Sequence, residues 1–390
     1  METTPPDLTF YQHLRNIADP RGAQGKQFPW DFLLTLLSAA LATGQRRLSE
    51  IHAWVQAHGD ELLAPWGQRV PRLPSYATLR RVVVQVDVQQ VETAVAAHSQ
   101  QLPDPGLASA PACPAEPGSA LQGQALDGKT ARGPLAHGEP RTDLVSLVRH
   151  RDGRVLAQAR VPLLRREQTV VPQLLAGRDL TGVVITVDAL HTHPALAQQI
   201  LDQHGAYLMI VKRNQPQVWE AIDILFQSPP LPCDLEDRCQ SRTVNKGHGR
   251  LEIRTLTASA LLADYVNWPG AYWVLQRTCQ RQILKTGRQS QEVTYAITSL
   301  DPTRASLARV EQLWRGHWTI ENKVHYVRDV TFGEDTCPVH RGQAPHVLAT
   351  LRNGVLNLLR QAGWHNIAAA LRHYAASATQ TLRLLGVGFS

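Results

Sequence analysis

The stretch "LWRGHWTIENKVHYVRDVTFGED", residues 313–335, gathers several side chains capable of acid–base or ligand chemistry. At about 100° per residue, an α-helix through it sets Trp314, His317, His325 and Arg328 within roughly 40° of Glu321. Leu313, Ile320, Val324 and Val327 form a second, apolar band about 90° away. The spacing predicts an amphipathic helix whose polar band is built around one carboxylate. An ordinary solvated face with i,i+4 support from His317 and His325 has the same spacing. The band therefore becomes a site only if other acids meet Glu321.

Two candidates exist. Asp127 closes "GQALD" and Asp188 closes "TGVVITVD", each at the end of a predicted strand. In a mixed α/β sheet, ligands gather outside the carboxyl ends of the strands. A single Asp after a strand commonly caps a turn, but two of them with a helix-borne Glu make a more specific pattern. Three carboxylates are hard oxygen ligands suited to Mg²⁺. Two such ions ~4 Å apart can activate a water and stabilise the leaving oxygen of a phosphodiester.

Cations and imidazoles flank these acids. "GKTARG" puts Lys129 and Arg132 just beyond Asp127, where they would hold phosphates or form a plain solvated turn. His191 and His193 follow Asp188; they fit DNA contact, a metal-ligand pattern or helix capping. Lys212 ends the strand "AYLMIVK", and Arg250 lies in "NKGHGRLEIR", which suits DNA contact or surface solubility equally.

The elements that must position these residues follow from pattern. Residues 1–101 read as a small helical domain, with "PWDFLLTLLSAALATG", a helix capped by Ser49 in "LSEIHAWVQAHG", and another after Pro74. Residues 102–119, rich in Pro, Ala, Gly and Ser, read as a linker. From 120 to 227 the order is β-β-β-α-β-α-β-α, with "TDLVSLVRH" and "GRVLAQARV" joined as a hairpin. Residues 228–301 break that rhythm as a β-rich insertion that begins in a loop. Residues 302–390 return to helices, including "APHVLATLRNGVLNLLRQAG".

The element order and the acids resemble the ribonuclease-H-like core. The stretches "ALDGKTARG", "ITVDALHTHP" and "RGHWTIENKVHYVRDVTFGED" resemble bacterial insertion-sequence transposases of the Asp-Asp-Glu class, in the branch that includes the H-repeat-associated proteins. "DPRGAQGKQFPWDFLLTLLSAALATGQRRLSEIHAWV", "PSYATLRRV" and "LRNGVLNLLR" extend the likeness over nearly the whole chain. The resemblance implies an α/β fold: a ribonuclease-H-like mixed-sheet catalytic core with a β-rich insertion, preceded by the helical domain. It implies that the strands of Asp127 and Asp188 are adjacent and parallel. It implies that Asp127, Asp188 and Glu321 ligate two Mg²⁺ ions, with Mn²⁺ as substitute. The activity implied is phosphodiester hydrolysis at element ends, then transfer of the 3′-hydroxyl into target DNA. A homodimer or higher assembly is expected, because two ends must be joined. Related transposases carry Tyr-x2-Arg-x3-Glu-x6-Lys here; this chain has Trp314, His317, Glu321 and Arg328. Trp keeps a stacking surface and Arg keeps a phosphate-binding cation, while a neutral His is a weaker clamp.

Composition agrees with a polyanionic partner. The net charge is +7, and residues 301–390 carry ten basic against six acidic residues. Five cysteines at irregular spacings, without CxxC, argue against a disulfide framework or zinc ribbon and for a reducing cytosol, nucleoid-associated through DNA. The longest apolar run, Phe32 to Ala42, is far short of the ~20 residues of a membrane span. Two other readings remain open: a DNA-binding or domesticated nuclease-like protein without transposition, and a small-molecule metallohydrolase suggested by "DALHTHP". The helical first hundred residues and the β-rich insertion argue against the latter.

Overall fold

Val183–Val187, VVITV, is buried along its whole length, which a strand achieves when both faces of its sheet are covered. Among the described residues it is the fourth of nine strands in one sheet. The computed structural model describes residues 8–102, 117–131, 142–162, 167–228, 237–247, 249–339 and 342–388. Arg132 and most of the Pro/Ala-rich stretch lie outside the described residues.

The strands are β1 (Gln122–Ala131), β2 (Thr142–Arg149), β3 (Val155–Arg160), β4 (Val183–Val187), β5 (Ala206–Val211), β6 (Cys239–Gly247), β7 (Arg250–Ser259), β8 (Trp273–Ile283) and β9 (Gln289–Thr298). Their order across the sheet is β3-β2-β1-β4-β5-β9-β8-β7-β6. β1, β4 and β5 run parallel, and every other pairing is antiparallel. The β-rich insertion therefore continues the central sheet through β9. Its first strand, β6, is one that sequence patterning did not mark: CQSRTVNKG is mostly exposed and polar at the sheet edge, where charge blunts edge pairing.

Among the described residues, six helices precede the sheet: α1 (Phe10–Arg15), α2 (Trp30–Ala42), α3 (Leu48–Ala57), α4 (Gly59–Leu63), α5 (Tyr76–Gln85) and α6 (Val88–Gln101). The cap of α3 is not Ser49. The helix begins one residue earlier, and Glu50 Oε2 accepts the N–H groups of Arg46 and Arg47. Between strands lie α7 (Val171–Leu175), α8 (Pro194–Asp202) and α9 (Pro216–Gln227), followed after β9 by α10 (Leu307–Gly316). The last three are α11 (Ala344–Gln361), α12 (Ile367–Ala375) and α13 (Ala378–Leu384).

Alternate residues of the strands face opposite layers. Ile185, Val187 and Met209 pack with Val171, Leu196, Ile200 and Ile222 of α7, α8 and α9. Val184 and Leu208 pack on the other face against Val310, Leu313 and Trp314 of α10. A third cluster joins the N-terminal helices to α11, α12 and α13, and takes in Ala125, Val148, Val155, Ile320 and Val324. The first hundred residues and the C-terminal helices thus share one apolar core. Asn357 of α11 ties that core to the sheet, accepting from Val155 N–H at 3.0 Å and donating to Val155 O at 2.9 Å.

Candidate metal and DNA site

β1 and β4 set the two aspartates side by side. Their parallel register ends at Leu126 opposite Val187, so Asp127 and Asp188 are the next residues on neighbouring strands. β1 does not stop at Asp127 as its sequence suggested; it runs on to Ala131 against β2, with Asp127 opposite Ser146. Beyond β4 the chain turns, and Asp188 Oδ1 accepts the His191 N–H at 3.2 Å.

Glu321 arrives on a helix that changes its winding. The α-helical turns of α10 end at Gly316, and π-helical turns follow over Ile320–His325 and Val327–Thr331. Tyr326 N–H donates to Glu321 O and Phe332 N–H to Val327 O, each closing a five-residue step. A π turn holds more residues than an α turn, so the phase of the polar band drifts. Glu321 stays outward with its side chain 54% exposed, while Arg328 rotates to full burial.

That drift and the packing of α10 revise the expected DNA contacts. Trp314 is buried on the sheet, with the Arg277 guanidinium 4.5 Å from its ring centroid, and presents no stacking surface. Arg328 forms a two-pronged pair with Glu334, at 3.0 and 2.6 Å, and donates to Gln158 Oε1 at 2.9 Å. Arg352 joins the same carboxylate at 3.4 Å. Burial alone would push the Glu334 carboxyl up, but the two guanidinium groups hold it down at about 2. His317 is buried, its Nδ1 3.0 Å from Thr186 Oγ1; that hydroxyl is also 2.9 Å from His150 Nε2. Lys129 turns inward to Asp329 and Asp335 and so ties β1 to the π-helical segment. All four side chains are buried and engaged with other groups of the protein.

His191 and His325 are also buried, but inside the acid cluster. His325 Nδ1 lies 3.2 Å from Glu321 Oε2 and 3.7 Å from Asp127 Oδ2. His191 Nε2 lies 3.4 Å from Glu167 Oε2. His193 instead caps α8 through Leu196 N–H. Lys212 at the end of β5 and Arg250 at the start of β7 are exposed, Arg250 beside Glu252 at 2.9 Å. On the segment of Glu321 the exposed aromatics are Trp318 and Tyr326, each 57% exposed.

Sequence reasoning missed three residues here: Glu167, Thr186 and His150. Glu167 packs so closely over Gly128 that a Cβ there would meet its carboxylate at 2.1 Å. His150 is wedged between Gly123 and Gly316, where a Cβ would meet its ring at 2.1 and 2.2 Å. Nothing in the local pattern marks these residues, because their partners come from distant strands.

The donor set fits a divalent cation. Burial, reinforced by the Asp188 charge and opposed by His325, pushes Asp127 up to about 6. Two neighbouring carboxylates in a shielded place are costly when ionised, and a cation between them removes that cost.

A parallel β1-β4-β5 core flanked by antiparallel strands, with acids at adjacent strand ends and a third on a helix, defines a ribonuclease-H-like fold. Residues 119–358 match the family model described as Transposase DDE domain, and residues 11–99 match one described as DDE_Tnp_1-associated. The chain belongs to the Transposase DDE domain family. It is 28% identical over 243 residues to "Putative transposase YncI" of Escherichia coli O157:H7, covering 60% of this chain and 61% of that protein. It is 29% identical over 243 residues to "H repeat-associated putative transposase YhhI" of Escherichia coli strain K12, covering 60% of this chain and 63% of that one. The match thus spans less than two thirds of the length of these relatives. Among the described residues, no helix is long and apolar enough to cross a membrane.

Proposed function

We propose that the chain is a DNA transposase that uses Asp127, Asp188 and Glu321 to hold two divalent cations, Mg²⁺ in the cell, at element ends. The observation that carries this reading is Asp127 itself. It belongs to two groups whose donor atoms lie within 4.8 Å of one another: Asp127 with Glu321 and His325, and Asp127 with Asp188 and His191. A carboxylate shared between two donor groups supports a two-ion phosphodiester site, in which the ions lie about 4 Å apart. Bound there, the ions would generate the attacking hydroxide and stabilise the leaving oxygen.

The protein's own groups do the rest. Lys129, paired with Asp329 and Asp335, fixes the π-helical segment and hence Glu321 against β1. Lys212 and Arg250 offer exposed cations to phosphates, and Trp318 and Tyr326 offer faces on which bases can stack. The partners are the element's two ends and a target duplex, which calls for a dimer or higher assembly, working in the cytoplasm on the nucleoid.

The test is Mg²⁺-dependent cleavage of a supercoiled plasmid carrying the gene with its own flanking DNA, for wild type and Glu321→Gln. Cuts at two sites flanking the gene, absent in the variant, are expected. Tight DNA binding without cleavage in Mg²⁺ or Mn²⁺ would instead make it a DNA-binding protein without catalysis.

A further inference from the structure

Each of the two donor groups that share Asp127 contains a buried imidazole. In the first, His325 Nδ1 is hydrogen-bonded to Glu321 Oε2 at 3.2 Å and stands 3.7 Å from Asp127 Oδ2. Neighbouring ligands of an octahedral ion bound at 2.0–2.2 Å stand about 3 Å apart; the 3.2 Å spacing is close to that, and all three donor atoms lie within 4.8 Å of one another. In the second, His191 is fully buried, and neither ring nitrogen makes a hydrogen bond among the described residues. Its nearest acid outside the donor group is Glu167, 3.4 Å from Nε2. An imidazole backed by a carboxylate is the usual outer arrangement of a metal-bound histidine. A buried ring with two unsatisfied nitrogens is costly, and a cation at one of them removes part of that cost.

We propose that His325 and His191 are nitrogen ligands at the two cation positions, His325 with Asp127 and Glu321, His191 with Asp127 and Asp188. The donor set is then mixed nitrogen and oxygen instead of carboxylate alone. Imidazole favours first-row transition ions over Mg²⁺, so the site selects Mn²⁺ and later divalent ions more strongly than three carboxylates would. Glu167 acts behind His191 as a positioning residue. This inference rests on the cation reading of the acid cluster.

The probe is Mn²⁺ itself, bound to the full chain. Pulsed electron paramagnetic resonance on protein with ¹⁵N-labelled histidine reads nitrogen ligation directly and needs no catalysis. Titrations give Mn²⁺ and Mg²⁺ affinities for wild type, His325→Gln and His191→Gln. Expected are ¹⁵N couplings on bound Mn²⁺ in wild type, and a roughly 10- to 100-fold weaker Mn²⁺ affinity in His325→Gln with a smaller loss for Mg²⁺. Bound Mn²⁺ without any nitrogen coupling overturns the proposal and leaves the carboxylate reading standing. Folded wild-type protein that binds no Mn²⁺ overturns both. The wild-type spectrum decides even if His191→Gln fails to fold.

Discussion

Asp127 sits in a conflict that a bound cation would resolve. Its carboxyl is pushed up to about 6 by burial, with Asp188 adding to the effect. Without metal, the ionised form near neutral pH destabilises the fold, because the unfolded chain holds this charge in water. Asp127→Asn is expected to raise the metal-free stability at pH 7.5 by ~1–2 kcal/mol, read as a denaturant midpoint. The same variant should lose most of the thermal upshift that Mn²⁺ or Mg²⁺ gives the wild type. Cation affinity should also weaken as pH falls below about 6, when protons compete for Asp127. An affinity flat from pH 5 to 7.5 would remove Asp127 from the ligand set.

At the scale of elements, the π-helical segment depends on two buried devices. One is Glu334, caught between Arg328 and Arg352. Glu334→Gln leaves two guanidinium groups without their counter-charge, and a loss of ~3–5 kcal/mol is expected. Because Glu334 is held at about 2 against an ordinary 4.5, its stabilisation is complete above about 4.5 and is lost as pH falls toward 2. The other is the glycine pair that admits His150. Gly316→Ala should destabilise the protein, and His150→Ala in the same chain should recover part of the loss; additive costs would show that the two do not touch. Much of this level was legible beforehand. The β-β-β-α-β-α-β-α order and the hairpin of β2 and β3 follow from apolar patterns and turn residues, while the adjacency of Asp127 and Asp188 was implied by the family resemblance and not by pattern. The orientation of Trp314, His317 and Arg328 did not, because a constant 100° step assumes α geometry. The π turns break that step where Glu321 must face out and Arg328 must face in. β6 escaped notice for a different reason: an exposed edge strand has no apolar alternation to display.

Across the whole molecule, buried neutral histidines set the response to acid. Burial depresses His98 and His317 to about 4 and His150 to about 3. The unfolded chain takes up these protons at about 6.5, before the folded one does. Stability is therefore full above about 6.5 and falls through 4.5, by on the order of 5 kcal/mol for the three together. Asp127, Glu311 and Asp329, whose carboxyls burial pushes up, oppose this over part of the same window, and His193, also depressed by burial, adds to it. Chemical denaturation at pH 4.5 and 7 checks the sign; equal midpoints would mean these rings are solvated.

The core that joins α1–α6 to α11–α13 also sets a schedule for synthesis. Ile320 and Val324, which bracket Glu321, belong to that core, and Tyr11 N–H donates to Leu385 O at 2.8 Å. The ribosome delivers the acids on β1 and β4 long before the helices that seat Glu321. A nascent chain therefore lacks the core that seats Glu321 beside Asp127 and Asp188 until the C-terminal helices have been made, and truncation within α11 is expected to leave Ile320 and Val324 without most of their apolar partners.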